Sequence, residues 1–282
     1  MITFRKLAVA GPGRGRLLRR YFTEDTPEAE RTSPGNRVTW RTDLPVEIAL
    51  LLGIDARRAP RDEEIDRLFE GRHTQTGEPW SKQTLDIAGF DLTVSPHVSV
   101  TLAAEFAQAA EETAAIWDVI GDANDETMRQ VAEGLFGSVA VGWTSFRNRV
   151  ARPTVALKDG RQGPTYPMHL QVESKPRAHI HNILFNLIVS DIGEVGLLDT
   201  ARLQGRLNGI DGYFQARLAD GLRRLGVEIG LNADESEVVI PAIPPKALKA
   251  FSADWIESGE VWISEDGAIA NKPDASGGGL LS

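Results

Sequence analysis

The run from Ala178 to Val189 constrains this chain most, because its β-branched and apolar residues read as a strand that nevertheless carries His179 and His181. Two positions apart on a strand, both imidazoles point to one face, about 6.5 Å from each other. Upstream, Tyr166 to Glu173 also reads as extended, and Ser174-Lys175-Pro176 supplies the polar and proline punctuation of a short hairpin loop. With the register centred on Lys175, His169 falls opposite His181, roughly 5 Å across the pair. Three of the five histidines then converge on one point. That is the layout of a three-histidine metal site with open coordination positions, as a catalytic metal needs. The register matters, since a slip of one residue turns His169 to the other face.

The remaining composition sets outer bounds. With 282 residues, 41% hydrophobic and 25% charged, the chain can bury a sizeable core. It has no cysteine, which excludes disulfides, thiolate zinc sites and cysteine nucleophiles together and fits a reducing compartment. Pro12, Gly13 and Arg14 interrupt the apolar start, and no run approaches the ~18 apolar residues of a membrane span, so no membrane insertion and a cytoplasmic location are expected. The formal charge of −9 argues against a generic polyanion binder. Arg14, Arg16, Arg19 and Arg20 nevertheless form a local basic run, and a local field matters more to a site than net charge.

Along the chain, Ile2 to Val9 reads as a first strand, followed by a basic helix that carries Tyr21. Thr23 to Asn36 reads as a polar loop. Helical patches follow at Val46 to Leu52 and, capped by Asp62, at Glu63 to Phe69. Gly89 to Val94 looks like a buried strand feeding a long helix from Val98 to Trp117, and Asp122 to Asn124 is expected to break it before a second helix at Glu126 to Leu135. Leu203 to Leu225 carries apolar residues at helical spacing and stops at Gly226. A hairpin-like segment, Val227 to Ile240, precedes a last helix near Lys246 to Ile256. Too few strict βα alternations occur for a doubly wound sheet, so the expected class is α+β: an antiparallel central sheet flanked by helices.

Several stretches together resemble one family. Gly89-Phe-Asp-Leu-Thr-Val-Ser95, continuing into Val98-Ser-Val100, is similar to the strand and helix start of the MobF (TrwC-type) conjugative relaxases, whose pattern is D-L-T-F-S-A-P-K-S-V-S. His169 with Glu173-Ser174, then Arg177-Ala-His179-Ile-His181-Asn182, resembles the family's H-x-x-T-S-R followed by L-H-T-H. Leu198-Asp199, the Tyr213 to Gly226 stretch and Phe251-Ser252 fall in family order. The resemblance covers Ile2 to Glu260.

What it implies is an HUH endonuclease domain, assigned here to residues 1–265 with 266–282 as a flexible tail. Such a domain nicks single-stranded DNA at a plasmid origin of transfer and stays joined to the new 5′ end through a covalent protein–DNA linkage. By position the nucleophile is Tyr21, and His169, His179 and His181 hold a metal. Asp91, matching the Asp of D-L-T, is expected to orient a metal-ligating imidazole or to assist proton transfer. A tyrosine with an ordinary pKa of roughly 10 needs proton removal or a positive field to attack at neutral pH. Arg14, Arg16, Arg19, Arg20 and Arg177 are the expected phosphate contacts, with Arg147, Arg149 and Arg152 as a second stripe. Trp40, Trp80 and Trp143 are candidates for stacking on bases. His97 is expected at a helix start, and His73 is given no role. Imidazole ligands favour zinc, manganese or nickel, while cellular abundance and phosphate oxygens favour magnesium. A divalent ion is expected, Mg or Mn in the cell, with Zn or Ni as alternatives. Other relaxosome or coupling proteins are possible partners.

The sequence also departs from the family. Phe22 follows Tyr21 where many members have a second tyrosine, Val98 stands for the expected lysine, and Ala253-Asp254-Trp255 replaces basic residues. No G-x-x-x-x-G-K-[ST] occurs, so no helicase motor is expected in this stretch, whether the chain is a relaxase-only protein or an excised domain. Two other readings stay open: a rolling-circle replication initiator of HUH type, and a decayed module that binds DNA without cutting it.

Overall fold

A computed structural model describes residues 1–23, 39–40, 45–55, 57–58, 60–80, 86–136, 139–152, 154–159, 165–170, 175–251, 260–263 and 269–271. At its centre is β7 (Lys175–Val189), which pairs antiparallel with β3 (Ile87–Val94) on one side and β4 (Ala140–Ala151) on the other. The strands β1 (Ile2–Ala8), outside β3, and β2 (Thr39–Trp40), outside β4, complete the order β1-β3-β7-β4-β2, and β8 (Val195–Gly196) folds back on the end of β7. Every pairing in this sheet is antiparallel.

Alternation along β7 sorts its side chains into two cores. Ile183, Phe185, Leu187 and Val189 share a face with His179 and His181 and pack into one cluster with α1 (Gly15–Thr23), α2 (Val46–Leu52) and α3 (Asp62–Phe69). Ala178, Ile180 and Leu184 point the other way, towards α4 (Val98–Glu105), α5 (Ala110–Phe136) and α7 (Leu207–Arg224), the last preceded by the short α6 (Thr200–Gln204). Burial on both faces explains why β7 reads as a nearly unbroken apolar run. The strands β9 (Gly230–Leu231) and β10 (Val238–Val239) form the hairpin expected after Val227, and α8 (Pro245–Phe251) follows. Gly226, at φ 77°, ends the helical run that the sequence stops there.

Four expectations are corrected. The stretch containing His169 does not form a hairpin with β7. Instead β6 (Thr165–His169) pairs antiparallel with β5 (Thr154–Asp159), in a second sheet that β11 (Glu260–Ile263) and β12 (Ile269–Asn271) extend in the order β12-β11-β5-β6, and Lys175-Pro176 already belongs to β7. Both hydrogen-bonding edges of β7 are taken by β3 and β4, which leaves no place for a third neighbour over the histidines. The expected break at Asp122–Asn124 is absent: α5 runs through it, and the interruption lies between Glu105 and Ala110. Asn124 is fully buried and exchanges hydrogen bonds with Asn182 of β7 at 2.7 and 3.1 Å, so its amide is satisfied by the sheet and does not compete with its own helix. Asp62 lies inside the first turn of α3. The residue before it, Arg61, is the cap, its backbone N–H donating to Glu64 at 2.8 Å. Finally, β12 (Ile269–Asn271) pairs with β11 (Glu260–Ile263), so the second sheet extends past the expected tail boundary at 266. The loop expected from 24 to 36, the end of the last helix beyond Phe251 and the tail from 272 lie outside the described residues.

Candidate active site on the histidine face of the sheet

Cross-strand partners share a face, so the registers place one row of side chains across four strands. Arg5 of β1 lies opposite Asp91 of β3, two residues from Thr93; Thr93 lies opposite His181 of β7; His181 lies opposite Phe146 of β4, and His179 opposite Asn148. The helix α1 lies over this row. Its buried positions Gly15, Leu18, Tyr21 and Phe22 form the inward stripe. Gly15 admits a close approach, since a Cβ there would stand 2.0 Å from the Asp66 carbonyl oxygen of α3. Phe22 stacks on Phe69 and Phe146 at 5.5 and 5.3 Å between ring centroids and meets His181 edge-on at 4.9 Å.

These contacts deliver Tyr21, 6% exposed, between the two sheets. Its ring stacks on His169 at 4.5 Å between centroids and stands 5.7 Å from His181. Arg5 Nη1 donates to Tyr21 Oη at 3.3 Å, with the guanidinium carbon 5.6 Å from the ring centroid. Burial raises the phenol above its ordinary value, the Asp91 charge adds to this, and Arg5 and Thr154 oppose it through charge and hydrogen bonds.

The hydrogen bonds of the histidines fix which ring nitrogen carries the proton. His181 Nδ1 donates to the Asp91 carboxylate at 2.9 and 3.1 Å, with Thr93 Oγ1 2.9 Å from both Asp91 Oδ1 and His181 Nδ1. His179 Nδ1 donates to the Arg177 carbonyl at 3.0 Å. On both rings Nε2 is therefore the nitrogen with a lone pair to give. Burial, with the neighbouring His181 and His169, holds the His179 pKa down to about 3, so this ring is neutral at physiological pH. His169 instead donates from Nε2 to the Tyr21 carbonyl at 2.8 Å, so a metal bond from this ring would have to come from Nδ1.

Convergence of three rings on one point is corrected accordingly. His179 and His181 are neighbours, 4.9 Å between centroids, but His169 approaches from the second sheet and meets Tyr21. Among the described residues no three histidine, aspartate or glutamate side chains stand ready together around an ion. The donor chemistry still fits a divalent cation: two imidazoles on one face, each held through Nδ1, one of them by a carboxylate of the kind that orients metal-bound histidines.

The basic residues divide. Arg16 and Arg20 are exposed on α1 and Arg14 is exposed just before it, whereas Arg19 is bound within the fold to Asp66 and Asp62 at 2.6 and 2.7 Å. Arg177 is half-buried, two residues before His179 on β7. Arg147 faces Asp125 at 3.8 Å, and Arg149 lies over Trp117. Trp143 is buried in the core with Met128 and Leu184, and Trp80 packs partly against the separate cluster that holds Tyr21 and Phe22; the side chain of Trp40 lies outside the described residues. His97 caps α4, accepting from the Ser99 N–H at 3.1 Å. His73 accepts from the backbone of Gln75 and Thr76 in a turn.

The family model of the TrwC relaxase matches residues 16–254, the greater part of the chain. This chain belongs to the TrwC relaxase family. The fold agrees. The copper-bound structure of the conjugative relaxase TrwC in complex with oriT DNA aligns with a TM-score of 0.63 at 18% identity, covering 89% of this chain and 80% of that one. A metal-bound complex of TrwC with oriT DNA gives 0.56, and TrwC with a 27-mer comprising the recognition hairpin and the cleavage site gives 0.55, each at 18% identity over 89% and 79% of the two chains. Among curated protein sequences none matches. Within this relaxase-family chain the sequence reading passed over Arg5, Thr93 and Thr154. An arginine at an alternate position of the first strand was the available signal for Arg5, but only the β1/β3 register shows what it faces.

Proposed function

We propose that this relaxase nicks one DNA strand at a transfer origin and retains the new 5′ end on Tyr21. The placement of Tyr21 carries the reading: a buried phenol stacked on His169, beside His181, with a guanidinium on its oxygen. TrwC has been seen in complex with oriT DNA in copper-bound, metal-bound and metal-free forms, and the same classes of ligand are assigned to this chain. In the reaction the Tyr21 Oη–phosphorus bond forms and the bond from phosphorus to the 3′ oxygen breaks. The phenolic proton ends, in net terms, on that 3′ oxygen. Because the phosphotyrosine ester conserves the bond energy, an incoming 3′-hydroxyl can reseal the strand.

His179 and His181, with His169, are the residues assigned to hold a divalent cation, Mg or Mn in the cell. When bound, it supplies Lewis-acid neutralisation of a non-bridging phosphate oxygen. Asp91 holds the His181 ring in the tautomer that offers Nε2. The exposed Arg14, Arg16 and Arg20 are assigned to the DNA backbone, since arginines offer the phosphate both charge and directed N–H groups.

The test is a denaturing gel for a covalent adduct, with Mn²⁺ and labelled single strands from a randomised pool plus the DNA flanking the chain's own gene. A protease-sensitive, slow-migrating DNA band that disappears with EDTA and with Tyr21→Phe is the expected result. DNA binding without any adduct would replace this reading with that of a binding module.

A further inference from the structure

Arg5 is a charged group within hydrogen-bond reach of the reacting atom and has been given no role so far. It sits on β1 on the histidine face, in register opposite Asp91, whose negative charge acts on it. Its Nη1 reaches Tyr21 Oη at 3.3 Å, yet the residue as a whole is exposed. A guanidinium carries five N–H donors in a planar fork, and the phenol engages one. The residue is exposed, and four of the five donors are left for a further partner.

We infer that Arg5 is a catalytic residue of this chain, one arm of its guanidinium aiming the Tyr21 oxygen while another pairs with a non-bridging oxygen of the phosphodiester under attack. The inference rests on the nicking reaction proposed above. As the Tyr21 Oη–phosphorus bond forms and the bond to the 3′ oxygen breaks, negative charge gathers on the non-bridging oxygens. A fork that touches both nucleophile and phosphate stabilises that charge where it develops, and holds the two reacting atoms in line. Lysine could supply the charge but not both directed bonds. Thr154 of β5 also acts on the phenol through a hydrogen bond, and Arg5 is the one of the two that brings charge.

The experiment measures single-turnover adduct formation at saturating oligonucleotide for the wild-type chain, Arg5→Gln, Arg5→Lys and Arg5→Ala. Oligonucleotide Kd and thermal midpoint are followed in parallel. For Arg5→Gln the rate is expected to fall by about 10²–10³, the scale of losing one oxyanion donor, with Kd within about threefold. Arg5→Lys keeps part of the rate. Added guanidinium restores Arg5→Ala, whereas tetramethylammonium at equal ionic strength does not. A DNA-anchoring or purely structural arginine gives a different pattern: a Kd raised well beyond threefold with the saturated rate kept, or a rate loss that follows the thermal midpoint and ignores guanidinium. Either overturns the inference, as does a rate unchanged in Arg5→Gln. A wild-type chain that forms no adduct would instead sink the nicking reaction itself, so the two failures are distinguishable.

Discussion

Replacing Asp91 by asparagine keeps the shape of a side chain that is 2% exposed and removes its charge. The carboxylate takes the His181 Nδ1 proton between its two oxygens, at 2.9 and 3.1 Å, and lies 2.9 Å from Thr93 Oγ1. An amide has one accepting oxygen and two N–H donors. If its NH₂ turns to His181, the ring must accept at Nδ1 and carry its proton on Nε2, the nitrogen that would otherwise bind metal. Losing an orienting partner of this kind costs about 10–100-fold in metal affinity, or about 1.4–2.7 kcal/mol. Fold stability falls less: charged hydrogen bonds give way to neutral ones, a difference of about 1–2 kcal/mol. Titration calorimetry with Mn²⁺ on the DNA-free protein, and adduct formation as a function of Mn²⁺ concentration, are the two assays. Both curves are expected to move to higher metal by the same factor, with the rate recovered at high Mn²⁺. Unchanged Mn²⁺ affinity together with a lost rate would refute the orienting role and leave Asp91 as the group that receives the phenol proton.

Three further outcomes follow from the geometry. Arg16→Ala with Arg20→Ala should reduce the salt dependence of oligonucleotide binding by about 1.4 log units per log unit of salt, at about 0.7 per phosphate contact on a single strand; Arg19→Ala should leave that slope alone and lower the melting temperature, because its partners are Asp62 and Asp66. Gly15→Ala should destabilise the chain by about 1–3 kcal/mol on chemical denaturation, since the new methyl meets the Asp66 backbone and α1 must shift; adduct formation should fall with it, because the same helix carries Tyr21. His179 is neutral in the fold down to about pH 3, whereas in the unfolded chain it takes a proton below about 6.5. Its contribution is therefore complete above pH 6.5 and is lost as pH falls towards 3, by at most about 1.4 kcal/mol per pH unit. His179→Gln should flatten that limb of the stability curve in metal-free buffer, and an unchanged slope would count against the buried neutral ring.

The central strand was readable because burial on both faces leaves a local trace: an apolar run in which two histidines stand out. The same holds for Gly89 to Val94 and for the α7 stripe ending at Gly226. Pairing left no such trace. A hairpin joining His169 to β7 assumes that neighbours in sequence are neighbours in the sheet, and that fails when a strand's two edges are claimed by segments as distant as Ile87–Val94 and Ala140–Ala151. Asn124 misled for the opposite reason, since a residue that breaks an isolated helix is harmless when Asn182 satisfies it from across the core. Of the candidate site, Tyr21, Asp91 and the three histidines could be named from family order, but that His169 would come from a second sheet could not be read there. Arg5 could not be named either, because its neighbourhood exists only once β1 has found β3.

Phe22 has a mechanical meaning as well as a packing one. If Tyr21 carries a DNA end, any pull on that strand arrives at α1 one residue from a ring lodged among Phe69, Phe146 and His181. Drawing Tyr21 outward would mean extracting that ring from the core, against about 1.5–3 kcal/mol of burial together with its stacking contacts. Phe22 thus ties the backbone beside Tyr21 to the core, so a strand joined to Tyr21 would be held by an anchor set in the protein's own interior.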